Sequence, residues 1–163
     1  MTPNSRPSGQ KKGFFEPEQI EAVLKHFSDD VQPLLTCACI TGRRIQAELM
    51  PLRWDQVDFS ARTVRLEPGM TKHEQGRIFY FTAGLGQILE ARKAKADALK
   101  RCGRICFWVF HRNGKPIKSI KNGWKEACRK AGLPGNIPHD FRCTAVRNLI
   151  RCGISEGIAM EMT

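Results

Sequence analysis

Acidic residues are scarce in this sequence: 16 Asp and Glu stand against 27 Lys and Arg, a formal charge of +11. Long apolar runs are missing as well. The longest, around residues 34–40, is short and carries Thr and Cys, so nothing reads as a membrane span. The first twelve residues, MTPNSRPSGQKK, lack the apolar core of a signal peptide. Seven cysteines occur (Cys37, Cys39, Cys102, Cys106, Cys128, Cys143 and Cys152), but no two form a C-x-x-C pair. That excludes the usual zinc modules, and the odd count argues against a disulfide framework. Reduced, mostly buried thiols in a cytoplasmic protein are expected instead. No nucleotide-binding glycine loop occurs. Tyrosine occurs once, as Tyr80.

The positive surplus raises the local concentration of polyanions and speeds their capture. Nucleic acid and anionic membrane are the two common partners. The basic residues are spread through segments with folded patterning, and only Lys11 and Lys12 sit in a tail. Nucleic acid is therefore the expected partner, with no membrane.

The length of 163 residues predicts one domain. Residues 1–12 combine Pro, Ser, Gly, Asn and Lys without apolar periodicity and are expected to be a flexible tail or linker stub; residues 13–163 form the domain. Pro17 suits the first turn of a helix, where a missing N–H costs nothing. Ile20, Val23, Leu24 and Phe27 follow at i, i+3, i+4 and i+7, one buried stripe. Further helices are predicted over 31–40, 44–52, 87–101, 120–131 and 139–151, with a last one from about Ser155. Strands are predicted at 63–66 and 78–82, joined by the turn-rich loop 67–76, and at 108–110 before the Asn113-Gly114 turn. The fold class is α+β, mainly α-helical with a small antiparallel sheet built on a hairpin.

Three clusters could carry chemistry. In Thr41-Gly-Arg-Arg-Ile-Gln-Ala-Glu48, Arg44 and Glu48 stand at i and i+4, so a helix would set guanidinium beside carboxylate. A carboxylate can hold an arginine in one rotamer and leave part of its fork free for a phosphate. Taken alone, the pair is better read as a solvated surface ion pair. Lys72 sits in the hairpin loop, where a lysine can reach over a bound anion or simply face water. In Pro138-His-Asp-Phe-Arg-Cys-Thr-Ala145, His139 and Arg142 are three apart and share a helix face at a helix start, which favours an anion. Phe141, Ala145 and Leu149 lie on another face and are candidate core. A capping histidine beside an unrelated surface arginine is an equal reading of this cluster. Together the clusters supply two Arg, one Lys and one His, the donors that phosphoryl transfer, a nuclease or plain backbone binding would each use. A metal-dependent nuclease would need clustered carboxylates, and Asp55, Asp58 and Asp140 offer no convincing set.

The order of these clusters resembles the tyrosine recombinase, or phage integrase, family. Its Thr-Gly-x-Arg segment, later acidic residue and Leu-x-Trp helix end match Thr41-Gly42-Arg43-Arg44, Glu48 and Leu52-Arg53-Trp54. Its hairpin lysine matches Lys72, and its His-x-x-Arg matches His139 to Arg142. Asp58 follows where the family has an acidic residue leading into the hairpin. The likeness spans about residues 14–163. Glu48 lies four residues after Arg44, where many members have three. The family's closing Gly-His motif and nucleophilic tyrosine have no counterpart before Thr163, and Tyr80 falls at the wrong place in the order; it is expected to be a packing residue.

The resemblance implies a recombinase catalytic-domain fold, incomplete at its C-terminal end. It implies DNA strand cleavage and rejoining through a phosphotyrosine link, for site-specific recombination or integration, with a non-catalytic DNA-binding module or integrase remnant as the alternative. It implies Arg44 and Arg142 clamping the non-bridging oxygens, Lys72 as general acid, His139 assisting proton transfer, and Glu48 orienting Arg44. No cofactor and no metal are implied, and no nucleophile lies in this chain, which alone is expected to bind DNA without cleaving it. The partners implied are double-stranded DNA and, in the intact protein, further recombinase subunits. If the charge surplus serves a phosphate backbone, affinity for duplex DNA falls steeply as salt rises from about 50 to 200 mM in a binding titration; a flat salt response removes that reading.

Overall fold

A computed structural model describes residues 13–69 and 76–163. The expected tail 1–12 and Lys72 lie outside the described residues. Helix α1 (Pro17–Leu24) starts on Glu16, whose N–H donates to Gln19 Oε1 at 2.8 Å, with Pro17 in its first turn. Its stripe behaves as the spacing predicts: Val23 is buried, and Ile20, Leu24 and Phe27 are half-buried against the core. Helix α2 (Gln32–Thr41) buries Leu34, Leu35, Cys37 and Ala38 and runs through the centre of the molecule. It stops at Gly42, which takes the left-handed conformation (φ 68°) and donates its N–H to Ala38 O at 2.8 Å.

Strands β1 (Val57–Asp58), β2 (Thr63–Leu66) and β3 (Arg77–Tyr80) form an antiparallel sheet in that order, with Thr63 opposite Tyr80 and Leu66 opposite Arg77. Val64 and Leu66 face the core, while Ile78 and Tyr80 point outward. Tyr80 is 79% exposed and so is not the packing residue expected of it. The reason is positional: β3 is an edge strand, and the period-2 alternation sends Arg77 and Phe79 partly inward and Tyr80 to solvent.

Helix α3 (Ala83–Arg101) begins four residues earlier than its periodicity predicts. Thr82 caps it, accepting from the Leu85 N–H, and Gly84 and Gly86 blur the apolar pattern of the first turn. The strand expected at 108–110 is displaced. Trp108 makes a single bridge to Arg53, and the regular hairpin is β4 (His111–Arg112) with β5 (Lys115–Pro116) around Asn113 and Gly114, both at positive φ. Helices α4 (Lys121–Lys130), α5 (Asp140–Arg151) and α6 (Glu156–Met162) complete the chain. The architecture is α+β, mostly helical. Among the described residues no helix is long and apolar enough to cross a membrane.

The core continues into an aromatic cluster of Phe15, Phe27, Trp124 and Phe141; the Phe15 and Phe141 rings lie 4.9 Å apart, and Trp124 meets Phe141 edge-on at 5.4 Å. The thiols divide differently from expectation. Cys37, Cys106 and Cys128 are buried and Cys39 is half-buried, but Cys102, Cys143 and Cys152 are exposed, two of them at helix ends. Burial pushes the Cys37 thiol up to about 12, so it stays protonated and inert.

Arg92 on α3 is the largest fully buried side chain. Its guanidinium donates to Val109 O (3.3 Å), His111 O (2.6 Å) and Asp30 Oδ1 (2.7 Å), which ties α3 to β4 and to the turn between α1 and α2. Removing it strands two buried carbonyls and leaves Asp30 with Lys95 alone (3.3 Å). Arg92→Met is expected to cost about 3 kcal/mol or more in urea unfolding, while Gln87→Ala on the exposed face of α3 stays within about 0.5 kcal/mol. A loss for Arg92→Met no larger than that of Gln87→Ala would show the network to be unimportant.

Candidate phosphate-binding site

The left-handed turn at Gly42 carries the chain from α2 directly into Arg43 and Arg44. The left-handed conformation favours glycine, and so does the space: a Cβ here would lie 2.6 Å from Thr163 Cγ2 and 3.1 Å from Ala145 Cβ. The end of α6 and the middle of α5 therefore both press on this one residue. Arg44 follows with extended backbone (ψ 122°) and precedes a π-helical turn, Ile45–Leu49, in which Leu49 N–H reaches Arg44 O (3.1 Å) and Met50 N–H reaches Ile45 O (2.8 Å).

This corrects the expected geometry of the first cluster. Arg44 and Glu48 do not sit as a guanidinium–carboxylate pair on an α-helical face. Glu48 is 3% exposed, and its Oε2 accepts the Arg44 main-chain N–H at 2.8 Å. The carboxylate fixes the backbone from which Arg44 projects and leaves that guanidinium's donors to other acceptors. A π turn holds one residue more than an α turn, which accommodates the four-residue spacing between Arg44 and Glu48.

The second half of the site comes from the start of α5. His139 precedes the helix and its carbonyl accepts from Arg142 N–H at 3.0 Å. Buried Asp140 locks the approach, its Oδ2 accepting from Ile137 N–H (3.0 Å) and Asn136 Nδ2 (3.2 Å). Thr144 donates to Asp140 O (2.7 Å) and accepts the Phe15 N–H (2.8 Å). Arg147 binds Phe15 O (2.7 Å) and Glu16 Oε1 (3.0 Å). So α5 is anchored through its buried face, and His139 (exposed) and Arg142 (half-buried) are left on the other. Of the other aspartates weighed for a metal site, Asp58 closes the 58–61 turn and Asp55 pairs with Arg53 at 3.3 Å.

Arg44, His139 and Arg142 line one hollow of about 400 Å³. Arg43, Ser119 and Lys121 line it too. Burial, and then the Arg44 charge, hold the Arg142 guanidinium below the ordinary arginine range; Arg77 adds to this and Glu48 opposes it. Arg43 is lowered by burial first, with Glu48 opposing and Arg77 and Arg142 assisting. The arginines remain cations at neutral pH. Several of them are crowded around one buried carboxylate, and an anion in the hollow would relieve their mutual repulsion. Lys72 lies outside the described residues, so its position relative to the hollow is not part of this geometry.

Arg43, Ser119 and Lys121 line the hollow without being among the residues expected there from the sequence. Arg77, the first residue of β3, stands opposite Leu66, and its charge acts on Arg43 and Arg142. Ser119 and Lys121 lie at the start of α4 and carry no local signal. A second hollow of similar volume lies between residues 53–55, α3 and residues 105–107; it is lined by Arg53, Lys93, Lys100, Asp55 and Asp97 and contains none of the expected site residues.

The family model described as the phage integrase family matches residues 14–163. The integrase of Salmonella phage P22 is 20% identical over 171 aligned positions, covering 96% of this chain and 42% of that protein. The crystal structure of XerA recombinase superposes with a TM-score of 0.71 at 18% identity, over 91% of this chain and 54% of XerA. A λ integrase dimer bound to a COC′ core site gives 0.69 at 14% identity, over 91% of this chain and 43% of that one. This chain thus spans about half the length of these proteins, and shares their fold.

Gly42→Ala should lose about 1–2 kcal/mol from the left-handed backbone alone, and more from the contact with Thr163. The expected readout is a lowered Tm together with faster amide exchange in α6. Unchanged exchange in α6 would mean that the helix does not rest on this turn.

Proposed function

This chain belongs to the phage integrase family, and on that footing we propose that it contributes the phosphate-binding part of a site-specific DNA recombination enzyme. The observation that carries the reading is the shared hollow of Arg44, His139 and Arg142, reached from two segments almost a hundred residues apart in sequence.

The chemistry follows from the donors. Attack on a phosphodiester builds charge on the non-bridging oxygens, and preorganised cations in a partly desolvated hollow stabilise it. Arg44 and Arg142 bind those oxygens, with the planar forks suited to two oxygens at once. His139, exposed at the mouth of the hollow, hydrogen-bonds the phosphate or assists proton transfer. Lys72, from the hairpin loop, protonates the departing 5′-oxygen. Glu48 acts through the main chain, holding the Arg44 N–H so that the guanidinium starts from one place. In this reading the arginines provide the positive charge at the phosphate. The attacking group is a tyrosine, which forms a phosphotyrosine link that a hydroxyl of the partner strand later reverses. The bond energy is kept in the link, so no nucleotide is consumed.

Double-stranded DNA is the partner in this reading; the similar λ integrase dimer is bound to a COC′ core site. The intact protein works with further copies of itself on paired sites, in the cytoplasm where its DNA lies.

Arg44→Ala and Arg142→Ala are each expected to weaken duplex binding about 10-fold or more at fixed salt, since a hydrogen bond to a charged group is worth about 1.5–3 kcal/mol. Each should also flatten the salt dependence by about one phosphate contact. Lys100→Ala, which lines the other hollow, should do neither. Equal losses for all three in fluorescence anisotropy would mean a diffuse basic surface with no phosphate hollow.

A further inference from the structure

Arg43 precedes the arginine assigned to the phosphate, yet it is 5% exposed. Its Nη2 donates to Met162 O at the end of α6 (3.1 Å), and its guanidinium lies 5.1 Å from the centre of the Phe79 ring. Among the described residues, its Nε and Nη1 are buried with no hydrogen-bond partner. It also lines the hollow beside Arg44 and Arg142.

A side chain serving only to fill this space would not need a charge. Methionine has a similar reach and would rest on Phe79 without two unsatisfied donors. Retaining a cation here is costly: burial disfavours it, and Arg77 and Arg142 repel it. Glu48 offsets only part of this, because its carboxylate is engaged by the Arg44 N–H. Buried ions with incomplete partners commonly destabilise a fold relative to an apolar replacement of similar size. Strain of that kind persists where function needs it.

We propose that Arg43 is a positioning residue of the phosphate hollow, a buried cation kept at a cost in stability so that its field draws an anion toward Arg44 and Arg142. The charge sits where solvent screens it little, so it acts on the hollow more strongly than a surface lysine would. The anion is phosphate, free or in a DNA backbone. The inference rests on the proposed function of the hollow.

The test compares Arg43→Met, Arg43→Lys and Arg44→Ala in the 163-residue chain. Thermal unfolding is measured with and without inorganic phosphate, and duplex affinity by anisotropy. Arg43→Met should unfold at the wild-type temperature or above without phosphate. It should bind duplex about 10-fold more weakly, with a smaller stabilisation by phosphate. Arg43→Lys, which keeps the charge, should restore most of the affinity. If Arg43→Met is less stable than wild type, or unfolded, or binds like wild type, Arg43 is a structural pin and the proposal falls. If Arg43→Lys binds as weakly as Arg43→Met, charge is not what matters and the proposal falls as well. Arg44→Ala separates the two levels: if it weakens binding while Arg43→Met does not, only the role of Arg43 is lost, and if it has no effect, the reading of the hollow itself is wrong.

Discussion

Glu48 sits buried where Arg43, Arg44 and Arg142 approach one another, and its charge is what lets those guanidiniums share so small a space. Like charges in a partly desolvated site repel strongly, and one carboxylate offsets only part of that repulsion. The remainder is the site's attraction for an anion. The placing of Glu48 depends in turn on backbone. Gly42 ends α2 in the left-handed conformation, the chain passes through extended Arg44, and the π turn brings the carboxylate back onto the Arg44 N–H.

Rigidity on the α5 side has a different origin. Phe15 lies under Phe141, its N–H goes to Thr144 and its carbonyl to Arg147, so a segment that precedes α1 is clamped along α5. Asp140 turns its carboxylate back onto the residues before the helix. Most of these polar groups are paired, although among the described residues Arg147 Nε, like Arg43 Nε and Nη1, is buried without a hydrogen-bond partner.

Much of this was legible in the residues. The i, i+3, i+4 stripe of α1, the run Ile120, Trp124, Ala127 and Cys128, and the Gly153 stop after α5 all fell where periodicity and breakers put them. Misses trace to tertiary override of local signals. Residues 108–110 are apolar like a strand, but they are held by the Leu52 and Trp54 backbone, and the Asn113-Gly114 turn makes its hairpin from polar residues. The four-residue spacing of Arg44 and Glu48 fits an α-helical ion pair equally well on paper. In the fold the chain passes through left-handed Gly42 and extended Arg44 into a π turn. The exposed thiols and Tyr80 are apolar or aromatic types whose exposure is set by which edge and which helix end they occupy.

The sequence by itself determined the helices, the hairpin, the basic surplus and the identity of Arg44, Glu48, His139 and Arg142 as candidates, because those follow from composition, from periods of 2 and 3.6, and from short motifs read along the chain. Tertiary structure alone decided that Arg44 and Arg142 open on one hollow, that Glu48 serves a main-chain N–H, and that Arg43 is buried among them. These are contacts between segments brought together by packing of α2 on α5 and of α6 on Gly42, and no local pattern encodes the distance between residues so far apart in the chain.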